Sequence, residues 1–445
     1  MVKAKHSNEK KINRSIIIKC SAIAVLILLG INIPYLNVVA LLLACLFIFF
    51  GSVTEILGIL LFTLSFSPIF KLQPGGITFF NFLILAAILK LLFNNRSLKF
   101  SYKELIIIIV FTCYALTFGG MDAMVRAINL VMYFVLMLLV FKQNKIIELR
   151  SILLFFSVGI ILASVTGLFS DYIPGLSSFM NQTKLKLEPG EYVIRFSGIQ
   201  SNPNFFTMDI SIALAGWFGL VVSGRAKPFD YILIIMLSVF GIMSLSKSFL
   251  VIYLVLLLLV LIIFAKQSIR GLIKGVFIVA IVIVGIYIFV DKEYINAFLS
   301  RLLEDNSSNA SLSSVTTGRY DIWMSYIGYI FSDIKVLLFG EGIGAEYYAS
   351  KASHNYFIET IYYLGAIGSI IYLICIINVF PKRNLSVKRS LVNYLPVIML
   401  MVRGTAINLI FRENLFFYFI IIAVILNTNL NIKDRLKFVS KKNNS

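Results

Sequence analysis

The sequence reads as an all-α polytopic integral membrane protein of about 12–14 transmembrane helices with two extended external loops. Three observations lead there. Of 445 residues, 59% are hydrophobic and only 14% charged, with a mean hydropathy of +0.93. Soluble domains hold about 45–50% apolar and about 25% charged residues, so a water-soluble globular enzyme is excluded. Runs such as Val38–Phe50 and Phe249–Phe264 carry no charge at all, and about 20 mostly apolar residues suffice to cross a bilayer. The third observation is the one-sided distribution of Lys and Arg.

The N-terminal arm carries Lys3, Lys5, Lys10, Lys11 and Arg14 ahead of the first apolar run, which keeps that end cytoplasmic by the positive-inside rule. Threading the chain alternately from there gives spans near 16–33, 36–50, 52–70, 77–93, 104–118, 123–141, 151–169, 205–223, 229–245, 248–265, 275–290, 356–379, 391–403 and 413–428. Segments assigned inside hold 25 Lys/Arg against 5 Asp/Glu, while those outside hold 13 basic and 14 acidic residues. Essentially all of the net charge of +19 thus falls on one face. The basic balance is a topology signal and not a footprint for nucleic acid. The chain reads as one transmembrane domain over 1–445, with cytoplasmic tails 1–15 and 429–445.

The first apolar run has no small-residue cleavage site and is interrupted by Lys19, so it reads as a retained span. Cys20, Cys45, Cys113 and Cys375 each lie in a different span without paired spacing, as small apolar fillers. The two histidines, His6 and His354, form no cluster with acids at metal-ligand spacing. No metal or cofactor is expected. No period of 20–50 residues repeats.

Chemistry-bearing residues gather in the external loops 170–204 and 291–355, and long loops in compact proteins commonly carry function. The first ends in Arg195-Phe196-Ser197-Gly198, then Asn202-Pro203-Asn204. Asn before Pro is a helix start, with Asn as N-cap and Pro at the first helical position. The next span therefore presents free amides and its positive dipole end outward. Arg195 just ahead reads either as a headgroup anchor or as part of a phosphate site. Asp209, about one turn into that span, is costly in lipid and is expected to face the bundle interior. Whether it meets a sugar hydroxyl or a basic side chain is open. Lys247 sits in a tight outer turn between two spans and reads as an anchor or a positioned cation.

The second loop contains Thr316-Thr317-Gly318-Arg319, then a Tyr- and Trp-rich segment through Trp323 to Phe331. It reads as an interfacial helix anchored by its aromatics. Phe339-Gly340-Glu341-Gly342-Ile343-Gly344 has no strand–helix context for dinucleotide binding, and its glycines read as turn formers. Ser353-His354-Asn355-Tyr356 then opens another span, with Ser353 as N-cap and His354 in the first turn. A neutral imidazole beside a helix N-terminus is suited to general-base work; a lone His there also serves as a capping residue.

In this order, the residues resemble the O-antigen polymerase/ligase superfamily of Wzy-type polymerases and O-antigen ligases. The matches are Arg195-x-x-Gly198 with Asn202-Pro203-Asn204, then Ser246-Lys247-Ser248 and Gly318-Arg319-x-x-x-x-Trp323. Gly340-x-Gly342-x-Gly344 and His354-Asn355-x-x-x-Glu359 follow. They cover roughly residues 195–370; the first 170 match only as generic spans. Many relatives carry Arg where this chain has Lys247, which offers a point charge and not a bidentate fork. About fourteen spans also exceed the dozen common in the family, so one short span is a candidate re-entrant or interfacial piece.

The resemblance implies a multi-span, GT-C-like, metal-independent glycosyltransferase in the bacterial cytoplasmic membrane, acting on its outer face with both termini cytoplasmic. Donor and acceptor would be oligosaccharides on undecaprenyl diphosphate, among membrane lipids, with a flippase and a chain-length regulator as pathway partners. Arg195 and Arg319, helped by Lys247, would hold the diphosphate, and His354 would take the acceptor proton. Gly198, Asn202, Asn204, Asp209, Gly318, Asn355 and Glu359 would line the substrate site. A polymerase uses another lipid-linked repeat unit as acceptor; a ligase uses a different one. A flippase for the same lipids is the rival from another class, but it would show related halves and more charge within spans.

Overall fold

In the computed structural model the described residues are 2–74, 78–93, 101–117, 121–143, 147–180, 183–186, 192–292, 294–296, 318–379 and 391–428. The segments 297–317, 380–390 and 429–445, and with them most of the acidic stretch of the second loop, one basic connector and the C-terminal tail, lie outside the described residues. The described part is helical: α1 (Val2–Leu29), α2 (Tyr35–Phe50), α3 (Val53–Leu64), α4 (Phe80–Phe93), α5 (Tyr102–Thr117), α6 (Met121–Lys142), α7 (Leu149–Leu168), α8 (Pro203–Val222), α9 (Pro228–Met243), α10 (Lys247–Ala265) and α11 (Ile269–Phe289). Then come α12 (Arg319–Ser332), α13 (Ile334–Phe339), α14 (Tyr356–Val379), α15 (Leu391–Gly404) and α16 (Glu413–Asn427). Each expected span overlaps one of these helices, and α12 and α13 lie between α11 and α14. The protein is an α-helical polytopic membrane protein.

Six helices among the described residues are long and apolar enough to cross a membrane: Met124–Lys142, Leu149–Leu168, Pro203–Val222, Lys247–Ala265, Ile269–Phe289 and Tyr356–Asn378. Burial sorts them. α8 is enclosed on nearly every side, whereas α11 turns Ile273, Val276, Phe277, Val284 and Ile288 outward. A continuous apolar exterior of that kind is what lipid requires.

α3 is the shortest helix at an expected span. Its 12 residues cover about 18 Å, well under a bilayer, and every residue but Glu55 is buried. The chain after it leaves the helix while Phe66, Ile69 and Phe70 stay buried. Irregular backbone is tolerated at membrane depth only where protein satisfies it. The buried Asn37 amide on α2 does so, donating to the carbonyls of Lys71 at 2.8 Å, Ile69 at 3.3 Å and Gly30 at 3.4 Å.

Ion pairs gather at the end of the bundle that carries the basic connectors. Lys19 meets Glu55, Lys142 meets Glu104 and Arg150 meets Asp230. Glu55 is thus a helix-start residue, closing a capping box with Ser52, and not a mid-span charge.

Two features correct the reading of the sequence. The segment between α7 and α8 contains an antiparallel ribbon, β1 (Thr183–Lys186) against β2 (Tyr192–Arg195), with Thr183 opposite Arg195. Tyr-Val-Ile is a strand-forming sequence, and pairing the two arms satisfies backbone groups that a bare loop would leave to water. Second, α14 is not continuous: Gly365 (φ 60°, ψ −175°) breaks it. The carbonyls freed by the break are taken by the glycine loop, with Glu341 N donating to Tyr362 O at 2.8 Å and Gly342 N to Tyr363 O at 3.1 Å. Gly340 lies so close that a Cβ there would meet Gly365 N at 2.5 Å. Tyr114 Oη on α5 closes the joint by donating to Phe339 O and Leu364 O. The glycines serve backbone-to-backbone docking as well as turning.

Candidate functional site

At the opposite end of the bundle from the basic connectors, α8 and α10 begin side by side. Asn202 caps α8 by accepting from Asn204 N at 2.8 Å, and Ser246 caps α10 by accepting from Phe249 N. Ser246 Oγ also donates to Asn204 Oδ1 at 3.0 Å, joining the two starts. Both helices therefore deliver free amides and positive dipole ends to one place.

A third element enters there that the sequence reading passed over. Arg403, at the C-terminal end of α15, is fully buried. Its Nη1 donates to Ser248 Oγ, and Nη2 donates to Asn204 O and to Thr207 Oγ1, both at 2.6 Å. These partners are neutral oxygens, and Nε is buried with no partner. Burying an ion costs several kcal/mol, and three hydrogen bonds to a charged group return about 1.5–3 kcal/mol each. The hydrogen bonds can hold the guanidinium in place, but its charge stays uncompensated. A charge at the end of an apolar span is ordinary in sequence; a buried arginine within a membrane bundle marks a functional site by default.

Arg195 and Arg319 lie close enough for their charges to act on Arg403. Arg195 ends β2 and donates through Nε to Ser244 O at 3.2 Å, in the turn that leads into α10. Gly198 (φ 58°) lets the following chain settle on α7, where a Cβ on Gly167 would meet Gly198 C at 2.5 Å. Arg319 opens α12 after Gly318 (φ 76°) and donates through Nη1 to Ala406 O at 3.1 Å, just past Arg403 in the chain. Lys247 is the half-buried first residue of α10. Three arginines, this lysine and two helix N-termini share one end of the bundle.

His354 joins them through Arg319, whose charge, second to burial, pushes the imidazole below its ordinary range. Both effects favour the neutral ring. Its placement differs from the expectation. The N-cap of α14 is Asn355, whose Oδ1 accepts from Phe357 N and Ile358 N, while Ser353 Oγ accepts from Asn355 N. His354 stands one residue outside the helix with φ 52°, as does Leu245 in the Ser244–Ser246 turn. Left-handed backbone at a non-glycine residue is a cost of order 1–3 kcal/mol that clusters at functional sites. The loop is held by α12, where Trp323 Nε1 donates to Ser353 O at 2.9 Å and Tyr326 Oη to Lys351 O at 2.6 Å. These aromatics turn their polar atoms to protein and not to headgroups.

The other expected site residues divide. Asn202, Asn204 and Asn355 use their side chains to cap or join helices, and Gly198 and Gly318 supply left-handed turns. Asp209 is fully buried. It accepts from Gln200 Nε2 at 2.7 Å, Asn414 Nδ2 at 2.8 Å and Tyr418 Oη, tying the first external loop and α16 to α8. Glu359 is buried one turn into α14, with Arg412 and Arg126 as its electrostatic neighbours. Among the described residues no trio of His, Cys, Asp and Glu gathers as a metal ligand set. Neither a family model nor a curated protein sequence matches the chain.

Proposed function

We propose that the protein is a membrane glycosyltransferase that polymerises undecaprenyl-diphosphate-linked oligosaccharide repeat units into a surface polysaccharide on the outer face of a bacterial cytoplasmic membrane. One observation carries the reading: an uncompensated buried guanidinium, Arg403, stands at two helix N-termini with Arg195 and Arg319 around it. Such a concentration of positive charge, in a site shielded from water, suits a polyanionic leaving group. The bidentate fork missing at Lys247 is available at Arg403, which reaches the same helix start. The GT-C-like assignment of the fold rests on the sequence resemblance.

In this reading the acceptor hydroxyl oxygen attacks the anomeric carbon of the donor sugar while the bond from that carbon to the diphosphate oxygen breaks. Undecaprenyl diphosphate leaves with the electron pair, and the arginines receive the charge that develops on it. His354, neutral and beside Arg319, takes the hydroxyl proton. The diphosphate ester supplies the driving force, as no nucleotide is needed.

The test replaces Arg319 and His354 by Ala separately, with membrane levels of each variant checked and surface polysaccharide run on a gel. Loss of the long-chain ladder with single repeat units still at the surface establishes polymerisation. Loss of all surface glycan while full-length chains accumulate on undecaprenyl diphosphate establishes a ligase instead. A normal ladder at normal protein level in both variants overturns the enzymatic reading and favours a flippase.

A further inference from the structure

The segment 345–354 is tied to α14 at both of its ends. At the first, Gly342 N donates to Tyr363 O at 3.1 Å and Tyr362 Oη donates to Glu346 O at 2.8 Å. At the second, the chain runs through His354 into Asn355, the N-cap of the same helix. The two ties lie about two turns apart on α14, and the residues between them form a strap. Its middle is held by a different helix, α12. Tyr326 Oη accepts from Tyr348 N at 3.0 Å and donates to Lys351 O at 2.6 Å, and Trp323 Nε1 donates to Ser353 O at 2.9 Å. The Tyr348 ring stacks on Tyr329, with 4.5 Å between centres, and meets Tyr326 edge-on.

The held position is strained. Ala349 (φ 50°), Ser350 (φ 57°) and His354 (φ 52°) are all left-handed without being glycine. That cost is of the same order as the gain from the hydrogen bonds to Tyr326 and Trp323, so neither decisively outweighs the other. There is also room for the strap to move. A cavity of about 350 Å³ is lined by Ala345, Glu346, Tyr347 and Ser350 of the strap, and by Arg126 of α6 and Tyr363 of α14. A strained segment, held by a few hydrogen bonds beside a cavity, belongs to the part of a fold that opens at low cost.

The helix that holds the strap also begins with Arg319, one turn before Trp323. One element thus carries a cation of the anion site and the donors that fix the strap. His354 closes the strap beside the capped start of α14, so a change in strap position is absorbed at its backbone and swings its ring. We propose that the strap is a two-position latch on His354. While Tyr326 and Trp323 hold it, the imidazole stays beside Arg319; when those bonds open, the strap settles toward Arg126 and Tyr363 and takes the imidazole with it. An anion bound at Arg319 fixes α12 and so favours the held position. The base is then presented while the donor diphosphate is in place and withdrawn when the lipid diphosphate leaves. The inference rests on the glycosyl-transfer reading above.

The experiment follows amide hydrogen exchange at 345–354 in purified full-length protein, with and without inorganic pyrophosphate, whose binding is measured separately by calorimetry. In the wild type, saturating pyrophosphate is expected to slow exchange across the strap about tenfold or more, while exchange in α11 stays as it was. Tyr326→Phe keeps the ring and loses the hydroxyl, and is expected to speed exchange of the strap about tenfold without pyrophosphate. Ala349→Gly relieves the left-handed strain and is expected to slow it. Should Tyr326→Phe fail to fold, Ala349→Gly decides the matter alone. Strap exchange that ignores bound pyrophosphate, or that neither substitution alters, overturns the latch and leaves the glycosyl-transfer reading standing. Failure of the wild type to bind pyrophosphate overturns both.

Discussion

Arg403 donates to the backbone carbonyl of Asn204 at 2.6 Å across 199 residues of sequence, and so locks the start of α8 to the end of α15. The same guanidinium reaches Ser248 at the start of α10. One side chain therefore both sets the spacing of two helix N-termini and supplies the charge between them.

Replacing it tests both roles. Arg403→Lys keeps a cation but loses the planar fork, leaving at least one of Ser248, Thr207 and the Asn204 carbonyl unpaired in a buried place. A stability loss of about 1–3 kcal/mol is expected, together with roughly a tenfold or greater loss of polymer synthesis. Thermal denaturation of the purified variant gives the first, and densitometry of the surface ladder gives the second. Unchanged synthesis by a correctly folded Arg403→Lys protein would remove Arg403 from the anion site.

His354 carries a pH prediction. Its folded pKa lies below the ordinary histidine value, through burial first and the Arg319 charge second. Activity that needs the neutral ring is therefore present above the folded pKa and falls as pH drops through it. The stability term has the same sign: the unfolded chain binds the proton more readily, so stability declines as pH falls below the unfolded value of about 6.5. Arg319→Gln removes one of the two causes and is expected to move the acid limb of residual activity to higher pH. An acid limb that stays in place in a pH–rate profile would separate His354 from proton transfer.

The joint between the glycine loop and the break in α14 leaves no room for a side chain. Gly340→Ala would drive a Cβ to 2.6 Å from Tyr363 O and requires φ 75° at a non-glycine residue. A cost above about 3 kcal/mol is expected from clash and strain together. Tyr114→Phe removes only the hydroxyl that binds Phe339 O and Leu364 O, for about 1–3 kcal/mol. Melting temperatures of the two variants should rank in that order, and an inverted ranking would mean the loop docks elsewhere.

Asn37 offers a test remote from the site. Asn37→Leu keeps the volume of the side chain but removes the donor to the carbonyls of Lys71, Ile69 and Gly30, of which Ile69 O keeps the amide of Lys71 at 3.0 Å. A loss of about 1–3 kcal/mol is expected from the hydrogen bonds removed. An Asn37→Leu protein as stable as the wild type in a denaturation series would show that the backbone after α3 finds another partner.

Much of this architecture was legible without coordinates. Apolar runs and the asymmetry of Lys and Arg are local quantities, and they located each helix of the bundle because lipid demands internal satisfaction of every backbone group within a segment. The Asn202-Pro203 start of α8, the helix at Arg319 and the presence of Arg195 and His354 at one end were local in the same sense. Arg403, the break at Gly365 and the pairing of β1 with β2 were not. Leu364-Gly365-Ala366 reads as continuous apolar helix until a distant loop offers its amides to the freed carbonyls. Arg403 reads as a span-end charge until α8 and α10 close around it. Sequence by itself determined which segments form apolar helices and which residues lie in the connections between them. Tertiary packing alone decided which of those residues are spent on capping, as Asn202, Asn204 and Asn355 are. It also decided which buried charges, Arg403 and Glu359, keep a polar atom without a hydrogen-bond partner. Hydrogen-bond satisfaction is settled by neighbours in space, and those can lie 199 positions apart in the chain, as Arg403 and Asn204 do.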